Sequence, residues 1–233
     1  AKENSETQVL TSFTNNVVIP TYQQLITKSN NLQQVTATFV KTPNDESLKT
    51  VQEAWKATRV PWEQSEAFAF GPAESAGYDG DLDDWPVNHT DLTALINSKE
   101  QLNPDYVKNR LQTTQKGFHA IEYLLFGENN DRQASQLSAR ELKLLQLLTT
   151  DFHQTAQELE QSWVAGVDGQ PAFRQVFTTA GNSTNTTYPT TKAALAEIVN
   201  GIIGCVEEVG EEKIGGPIAS KQILDFESRF SHT

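Results

Sequence analysis

The sequence predicts an all-α protein, organised as an up-down helical bundle. Apolar residues recur at intervals of three and four along five long segments, which is the period of a helix with one buried face. The alternation at intervals of two that marks a half-buried strand does not persist anywhere in the sequence. A chain of 233 residues, 37% of them hydrophobic, is long enough to bury a core between such helices.

The first two predicted helices each contain a proline. The first spans residues 7–40, and Pro20 is expected to kink it rather than end it, because the apolar pattern resumes beyond this residue. The second helix follows Asn44, a favourable N-cap, and continues past Pro61. Gly71 begins a break that is expected to end it.

The middle of the chain combines a loop with two further helices. Residues 71–90 are rich in glycine, proline and acidic residues, and we expect them to form an irregular loop. A short helix is predicted over residues 91–97. A longer one is predicted to begin at the N-cap Asn103 and to end at Gly127, a good C-cap.

Two more long helices are predicted in the second half of the chain. Ser138 and Glu141 form a capping box at the start of a helix that reaches about residue 165. The last long helix is predicted over residues 189–213. Residues 220–233 then have the pattern of the start of a further helix.

Composition restricts the classes of partner. Thirty acidic against eighteen basic residues give a net charge of -12, which repels phosphate backbones and argues against nucleic acid. Cations are the favoured partners instead. No apolar run approaches the roughly 18 residues of a membrane span. The single cysteine, Cys205, excludes an internal disulfide framework, and its apolar neighbours predict a buried thiol.

The segment Gly117 to Glu122, GFHAIE, carries the first candidate site. His119 and Glu122 are three residues apart, so both side chains project from one face of a helix and can share a metal ion. The alternative is that Glu122 holds a core histidine through a local hydrogen bond. Taken alone, the short motif favours that alternative.

A pair of carboxylates on the second helix is another candidate. Glu63 and Glu66 share one helical face beside Trp62 and Phe68, and two carboxylates forced together require a cation or a shared proton. The alternative is a solvated face on which Arg59 pairs with Glu63, four residues later.

The acidic loop offers a third set of oxygen ligands. Asp79, Asp81 and Asp83 alternate as at the start of an EF-hand, but Asp84 and Thr90 stand where that motif needs glycine and glutamate. An EF-hand is therefore rejected, and a solvated loop is favoured over one aspartate reaching a metal. One histidine with several carboxylates suits iron, manganese or zinc, and the hard oxygen ligands favour iron-type ions.

Hydrolase motifs are missing from the sequence. No H-E-x-x-H or G-x-S-x-G occurs, and Tyr123 stands where the inverted zinc motif needs histidine. His89, His153 and His232 have no evident partner in the sequence, and we expect them at the surface or at helix caps.

Several segments together resemble one known family. GFHAIEYLLFG, beginning at Gly117, is similar to the G-x-H-x-x-E signature of the imelysin family, also called peptidase family M75. Residues 53–72, the DLDDWPVN segment, and the EEKIGGPI and FESRFS stretches near the end support the resemblance, which spans about residues 8–231.

The resemblance implies a fold of two helical-bundle halves. Residues 1–216 would form an imelysin-like helical-bundle domain, and residues 217–233 would begin the second half, whose helices normally start where this chain ends. It also implies an exported bacterial protein of the periplasm or cell surface, tied to iron acquisition. A chain without methionine that opens on a polar run fits a mature exported protein or a trimmed one. Membrane association stays open.

The resemblance also implies a set of site residues. His119 and Glu122 would belong to the functional site. Glu63 and Glu66 match a ligand pair proposed for related periplasmic iron-uptake proteins. Asp81 or Asp83 matches their loop aspartate; Asp81 is taken as the ligand and Asp83 as a site neighbour. The other implied site neighbours are Arg59, Gly117, Trp85, Glu227, Ser228 and Ser231.

Three functions follow as hypotheses. The leading one is an exported metal-handling protein in bacterial iron uptake, which binds an iron ion or a small iron-bearing ligand, with zinc and calcium as alternatives and a membrane-bound uptake protein as a partner. The second is a metallopeptidase of the M75 type using the same residues, although His119 and Glu122 lack an adjacent glutamate to act as general base. The third is a helical adaptor with an aromatic surface around Trp62, Trp85 and Phe118.

Overall fold

The computed structural model describes residues 5–227, 229 and 230, and every regular element in this part of the chain is helical. The predicted all-α class is confirmed. Short π and 3-10 turns join or extend the α-helices. The helices are α1 Ser5–Phe13, α2 Ile19–Phe39, α3 Asp45–Ser65, α4 Pro72–Ser75, α5 Tyr78–Asp83, α6 His89–Asn97, α7 Pro104–Arg110, α8 Gly117–Phe126, α9 Ala139–Val164, α10 Phe173–Thr178, α11 Thr191–Glu207 and α12 Gly215–Ser220.

The chain forms two compact units that interleave along the sequence. Unit 1 comprises the described residues among 5–24, 61–77 and 157–226. Unit 2 comprises the described residues among 25–60, 78–156 and 227–233. Helices α2, α3 and α9 contribute residues to both units. None of the helices within the described residues is long and apolar enough to cross a membrane.

Both internal prolines are accommodated within helical segments, as predicted. A π-helical turn, Thr14–Val18, lies immediately before α2, whose second residue is Pro20. Proline has no backbone N–H and its ring crowds the carbonyl one turn earlier, so a widened turn at this point relieves the contact. Pro61 lies inside α3, which continues to Ser65.

The middle of the chain differs from prediction in two places. The segment predicted as a loop contains helices, and the long helix predicted after it is broken. Residues 71–90 contain α4 and α5, so the prediction of an irregular loop was wrong. The helix expected between Asn103 and Gly127 is broken, because Leu111 and Lys116 have extended backbones and only α7 and α8 are α-helical.

Two helix starts were predicted in the second half of the chain, and only the first of them is confirmed. The capping box of α9 is confirmed: the Ser138 N–H donates to Glu141 Oε2 at 2.8 Å, and the Glu141 N–H donates to Ser138 Oγ at 3.2 Å. At the other end, α12 stops at Ser220 because Lys221 adopts a left-handed backbone. A 3-10 turn follows at Ile223–Asp225, so the predicted helix start is wrong for the described residues up to 227.

Helix α8 is the central element of unit 2. Nine of its ten residues are buried, and burying each large apolar side chain contributes about 1.5–3 kcal/mol. The ring of Phe118 lies 4.4 Å from that of Phe152, centroid to centroid. The indole of Trp55 donates to the Phe118 carbonyl at 3.0 Å, and the Gln52 amide donates to that of Leu125 at 2.8 Å. These two bonds fix α8 against α3.

Unit 1 has an aromatic core. Trp163 packs edge-on against Phe173 with ring centroids 4.8 Å apart, and Phe177 lies 5.7 Å from Phe70 and 5.6 Å from Tyr188. Such edge and tilted pairs contribute about 0.5–1.5 kcal/mol each beyond burial of their area. Unit 1 therefore has a hydrophobic core of its own.

Helix α11 has one buried and one exposed face. On the packed side, Gly201 lies so close to the backbone of Ala67 that an added Cβ would be 2.4 Å from its carbonyl oxygen. On the exposed side, large apolar residues recur at helical spacing, and Cys205 between them is half-buried rather than buried as predicted. The exposed residues of this face include Val199, Ile202, Ile203 and Val206.

His153 is a core residue of unit 2, contrary to the prediction of a surface or capping position. It is buried on α9, and its Nδ1 lies 2.9 Å from the hydroxyl oxygen of Ser29 on α2. Burial disfavours the charged imidazolium and lowers the pKa of His153 below its usual 6.5.

We expect His153 to make the protein less stable in acid. Because the folded-state pKa is depressed, its contribution is complete above about pH 6.5 and is lost as the pH falls through the lower folded-state value. His153→Gln should therefore lose less stability than the wild type between neutral pH and pH 5. Urea unfolding at several pH values measures this difference. Ser29→Ala keeps the buried imidazole, so its acid sensitivity should persist; an unchanged pH dependence in His153→Gln would contradict the assignment.

Candidate metal centre

Gly117 allows α5 to approach the first turn of α8. Its φ is +74°, a conformation that costs side chains with a Cβ, and an added Cβ would lie 2.5 Å from the Leu82 carbonyl oxygen and 2.9 Å from that of Asp81. Glycine is thus required both by the backbone and by the contact. Gly117 begins α8, so the expectation that it lies in the middle of a helix was wrong.

The approach of α5 brings Asp83 to His119. Two residues apart on one helix, Asp81 and Asp83 point to different sides. Asp81 pairs with the buried ammonium of Lys116 at 2.7 Å, whereas Asp83 Oδ1 lies 3.1 Å from His119 Nε2. Of the two loop aspartates considered from the sequence, Asp83 is the one that the structure brings to the histidine.

His119 is buried between three carboxylates. Its Nδ1–H donates to Glu122 Oε2 at 2.9 Å, one turn along α8. The opposite nitrogen, Nε2, faces Asp83 and also lies 3.6 Å from Glu227 Oε1. The contact with Asp83 is short but not aligned as a hydrogen bond. Within the described residues, neither Nε2 nor Glu122 Oε1 makes an aligned hydrogen bond.

The carboxylates stabilise positive charge on His119. Burial, the largest single influence, lowers its pKa, but Asp83, Glu122 and Glu227 together outweigh burial and raise the pKa to about 10. The cluster is therefore an environment that favours a cation at the imidazole.

Arg59 supplies a second positive charge from α3. Its fully buried guanidinium donates to Asp83 Oδ1 at 2.5 Å and lies 4.0 Å from Glu227 Oε1. Its central carbon lies 4.7 Å from the centroid of the Phe118 ring, a cation–π contact. Arg59 thus holds two of the carboxylates that face His119.

The cluster has the donor set and spacing of a metal site. Among the described residues, ligand atoms of Asp83, His119 and Glu227 lie within 4.8 Å of one another. Two ligands that each lie about 2.1 Å from one ion are separated by roughly 3.0–3.4 Å at common coordination angles. The observed 3.1 and 3.6 Å separations from Nε2 therefore need only small adjustments. Glu122 lies on the other side of the ring, where carboxylates orient ligating histidines.

Trp85 covers one side of the histidine. Its indole meets the imidazole of His119 edge-on, with centroids 4.8 Å apart. Nearby, the Thr113 hydroxyl donates to Asp84, which ties the segment between α5 and α6 to the turn before α8. An aromatic wall of this kind lowers the local dielectric and strengthens the electrostatic contacts of the cluster.

Glu63 and Glu66, the other predicted ligand pair, belong to unit 1. Glu63 Oε2 lies 3.5 Å from the ammonium of Lys213. Burial first, and then the charge of Glu66, raise the pKa of the Cys205 thiol. Their role as ligands stays a prediction. Ser228 and Ser231, two predicted site neighbours, lie outside the described residues.

Sequence reasoning placed Asp83 and Glu227 beside the site rather than in it, and did not single out Lys116. One signal for Asp83 was available. Gly117 precedes His119 by two residues, and a glycine that admits a neighbouring backbone predicts close contact with whatever segment packs there. Nothing local in the sequence could identify that segment as α5.

Fold and cluster together define the class of protein: a helical protein with a buried histidine among carboxylates at the start of one helix. The chain belongs to the imelysin family (peptidase M75), whose sequence profile matches residues 18–233. It is also 38% identical over 222 residues to iron-regulated protein A of Synechococcus elongatus. That match covers 95% of this chain and 58% of the relative, so the chain spans little more than half of the relative's length.

Two solved structures share the fold. One, described as an iron-regulated protein A precursor from Parabacteroides distasonis, is 26% identical with a TM-score of 0.86, covering 99% of this chain and 70% of that one. The other, the crystal structure of an imelysin-like protein from Psychrobacter arcticum, is 17% identical with a TM-score of 0.73, covering 90% of this chain and 63% of that one. The predicted family is confirmed.

We expect Gly117→Ala to destabilise the protein by at least about 1–3 kcal/mol, which is the cost of a strained left-handed backbone. The contact of the added Cβ with carbonyl oxygens of α5 adds to this cost. Urea unfolding measures the loss. The matched control is Gly204→Ala, on the exposed face of α11, where no atom lies within 4 Å of the new Cβ. This change should stabilise the protein by up to about 1 kcal/mol. Equal effects of the two changes would refute the close-approach argument.

Proposed function

We propose that this protein is an exported metal-binding protein in bacterial iron uptake, and that it binds an iron-type ion at the cluster of Asp83, His119 and Glu227. The observation that carries the proposal is the position of His119 Nε2. This buried nitrogen lies between two carboxylate oxygens, at 3.1 and 3.6 Å, without an aligned hydrogen bond. A metal ion that replaced the proton on Nε2 would bind this nitrogen and both carboxylate oxygens at once.

The donor set supports iron, manganese or zinc. An imidazole nitrogen with carboxylate oxygens suits these ions, whereas calcium takes oxygen ligands and thiolate-binding soft ions would need cysteine. Iron is proposed among them because the matching relative is named iron-regulated protein A. The alternative to a bare ion is a small iron-bearing ligand, which would contact the same residues.

Export is proposed because the structural relative from Parabacteroides distasonis is described as a precursor. The periplasm or the cell surface would then be the compartment, and a membrane-bound uptake protein the partner that receives the metal. The net charge of -12 fits a cation carrier better than a protein that binds phosphate-bearing ligands.

The residues have separate roles in this proposal. Asp83, His119 and Glu227 would ligate the ion. Glu122 would act through His119, by accepting the Nδ1 proton and directing Nε2 towards the ion. Gly117 would act through the backbone, because it admits the α5 carbonyls that carry Asp83 to the site.

Titration calorimetry with ferrous iron under anaerobic conditions, zinc, manganese and calcium tests the proposal. We expect one equivalent of a transition-metal ion to bind, and binding to be lost in His119→Gln and Asp83→Asn because each removes a ligand. Glu122→Gln should weaken binding by about 10–100-fold, the usual effect of losing a group that orients a metal ligand. His153→Gln is the matched control, since it removes another buried histidine of unit 2 and should bind like the wild type.

Retained affinity in His119→Gln, or no binding of any of these ions by the wild type, would overturn the proposal. The same titration with Glu66→Gln tests the prediction that Glu63 and Glu66 also ligate the ion. A loss as large as that in His119→Gln would include the pair in the site.

The family name raises peptidase activity as an alternative. A metallopeptidase needs a carboxylate free to accept a proton from metal-bound water. The described carboxylates around His119 are each held by a cation or by the imidazole: Asp83 by Arg59, Glu227 near Arg59, and Glu122 by His119. We therefore expect no chelator-sensitive cleavage of a denatured protein by the zinc-loaded chain. Cleavage that disappears in both EDTA and His119→Gln would establish the peptidase instead.

A further inference from the structure

Arg59 places a permanent positive charge beside the proposed ligands. Its guanidinium contacts Asp83 Oδ1 at 2.5 Å and approaches Glu227 Oε1 at 4.0 Å. The same two oxygen atoms face His119 Nε2. Arginine does not lose its proton in proteins, so this charge persists when a metal ion replaces the proton at the imidazole.

The charges of the cluster can be counted with the imidazole neutral, as a metal ligand must be. Asp83, Glu122 and Glu227 contribute three negative charges, and Arg59 neutralises one of them. The neighbouring Lys116 and Asp81 form their own ion pair and add no net charge. Among the described residues whose charged groups surround His119, this count leaves two negative charges at a buried cluster. A divalent ion leaves the site neutral, whereas a trivalent ion leaves a buried positive charge close to Arg59.

Burial makes this difference matter. The side chains of Arg59 and His119 are 0% exposed, and that of Asp83 is 5% exposed, so water screens the charges little. An uncompensated charge in such surroundings is strongly disfavoured. Two ions of similar size that accept the same ligands would therefore bind this site with different affinities if their charges differ.

On the basis of the metal site proposed above, we propose that Arg59 sets its charge specificity: the site takes divalent cations in preference to trivalent cations of similar size. Arg59 is not a ligand in this proposal. It acts through Asp83 and Glu227, whose oxygen atoms it shares with the bound ion. For iron, the consequence is that the protein carries the ferrous and not the ferric ion at this site.

The test compares zinc with gallium, which are similar in size, differ in charge and are both redox-inert. Affinities are measured by competition with nitrilotriacetate for the wild type, Arg59→Gln and Arg59→Lys. We expect the ratio of gallium to zinc affinity to rise at least about tenfold in Arg59→Gln, since it removes a charge only a few ångströms from the ion. Arg59→Lys keeps the charge and should keep the wild-type ratio.

A second variant changes the charge in the opposite direction without altering Arg59. Glu122→Gln removes one negative charge, so the gallium-to-zinc ratio should fall below that of the wild type even though both affinities decrease. Thermal unfolding establishes which variants are folded. If Arg59→Gln does not fold, the wild type and Glu122→Gln provide the comparison.

The outcomes separate this inference from the proposed function. A wild type that binds neither ion refutes the metal site and the inference with it. A wild type that binds zinc but prefers gallium, or whose ratio is unchanged in the folded charge variants, refutes the role of Arg59 and leaves metal binding intact. A ratio that rises in Arg59→Gln and falls in Glu122→Gln supports the inference.

Discussion

The arrangement of unit 2 depends on the neutralisation of buried carboxylates. Asp83 Oδ1 is shared by two cationic groups, the guanidinium of Arg59 at 2.5 Å and the imidazole of His119 at 3.1 Å. The side chain of Asp83 is 5% exposed, and burying its charge would be costly without these two partners. Because Arg59 lies on α3, Asp83 on α5 and His119 on α8, this one set of contacts joins three helices as well as forming the candidate site.

The G-x-H-x-x-E signature now has a physical explanation for each of its fixed positions. Glycine is required because the backbone of α8 begins with a φ of +74° and carbonyl oxygens of α5 lie where a Cβ would be. Histidine, two residues later, faces the aspartate that α5 carries. Glutamate, one turn further, accepts the Nδ1 proton at 2.9 Å and orients the ring. The family signature and the geometry therefore both single out Gly117, His119 and Glu122.

The helical framework is shared with relatives whose sequences have diverged. A TM-score of 0.86 at 26% identity shows that the backbone fold is retained where most of the individual residues differ. Each unit of this chain has its own buried core, with packed aromatic rings in unit 1 and the almost fully buried α8 in unit 2. The matched region covers 58% of the length of iron-regulated protein A. The proposed metal binding therefore concerns this chain and not the whole length of that relative.

The sequence by itself determined the features that arise from neighbouring residues. Helical periodicity gave the all-α class, Ser138 and Glu141 gave a helix start, and the spacing of His119 and Glu122 gave a pair on one face, because these depend on contacts within a turn or two. Tertiary structure decided the rest: the break before Gly117, the choice of Asp83 over Asp81, and the addition of Arg59 and Glu227. These depend on which distant segments pack together and on the need to pair charges that packing has removed from water, and no local pattern encodes either.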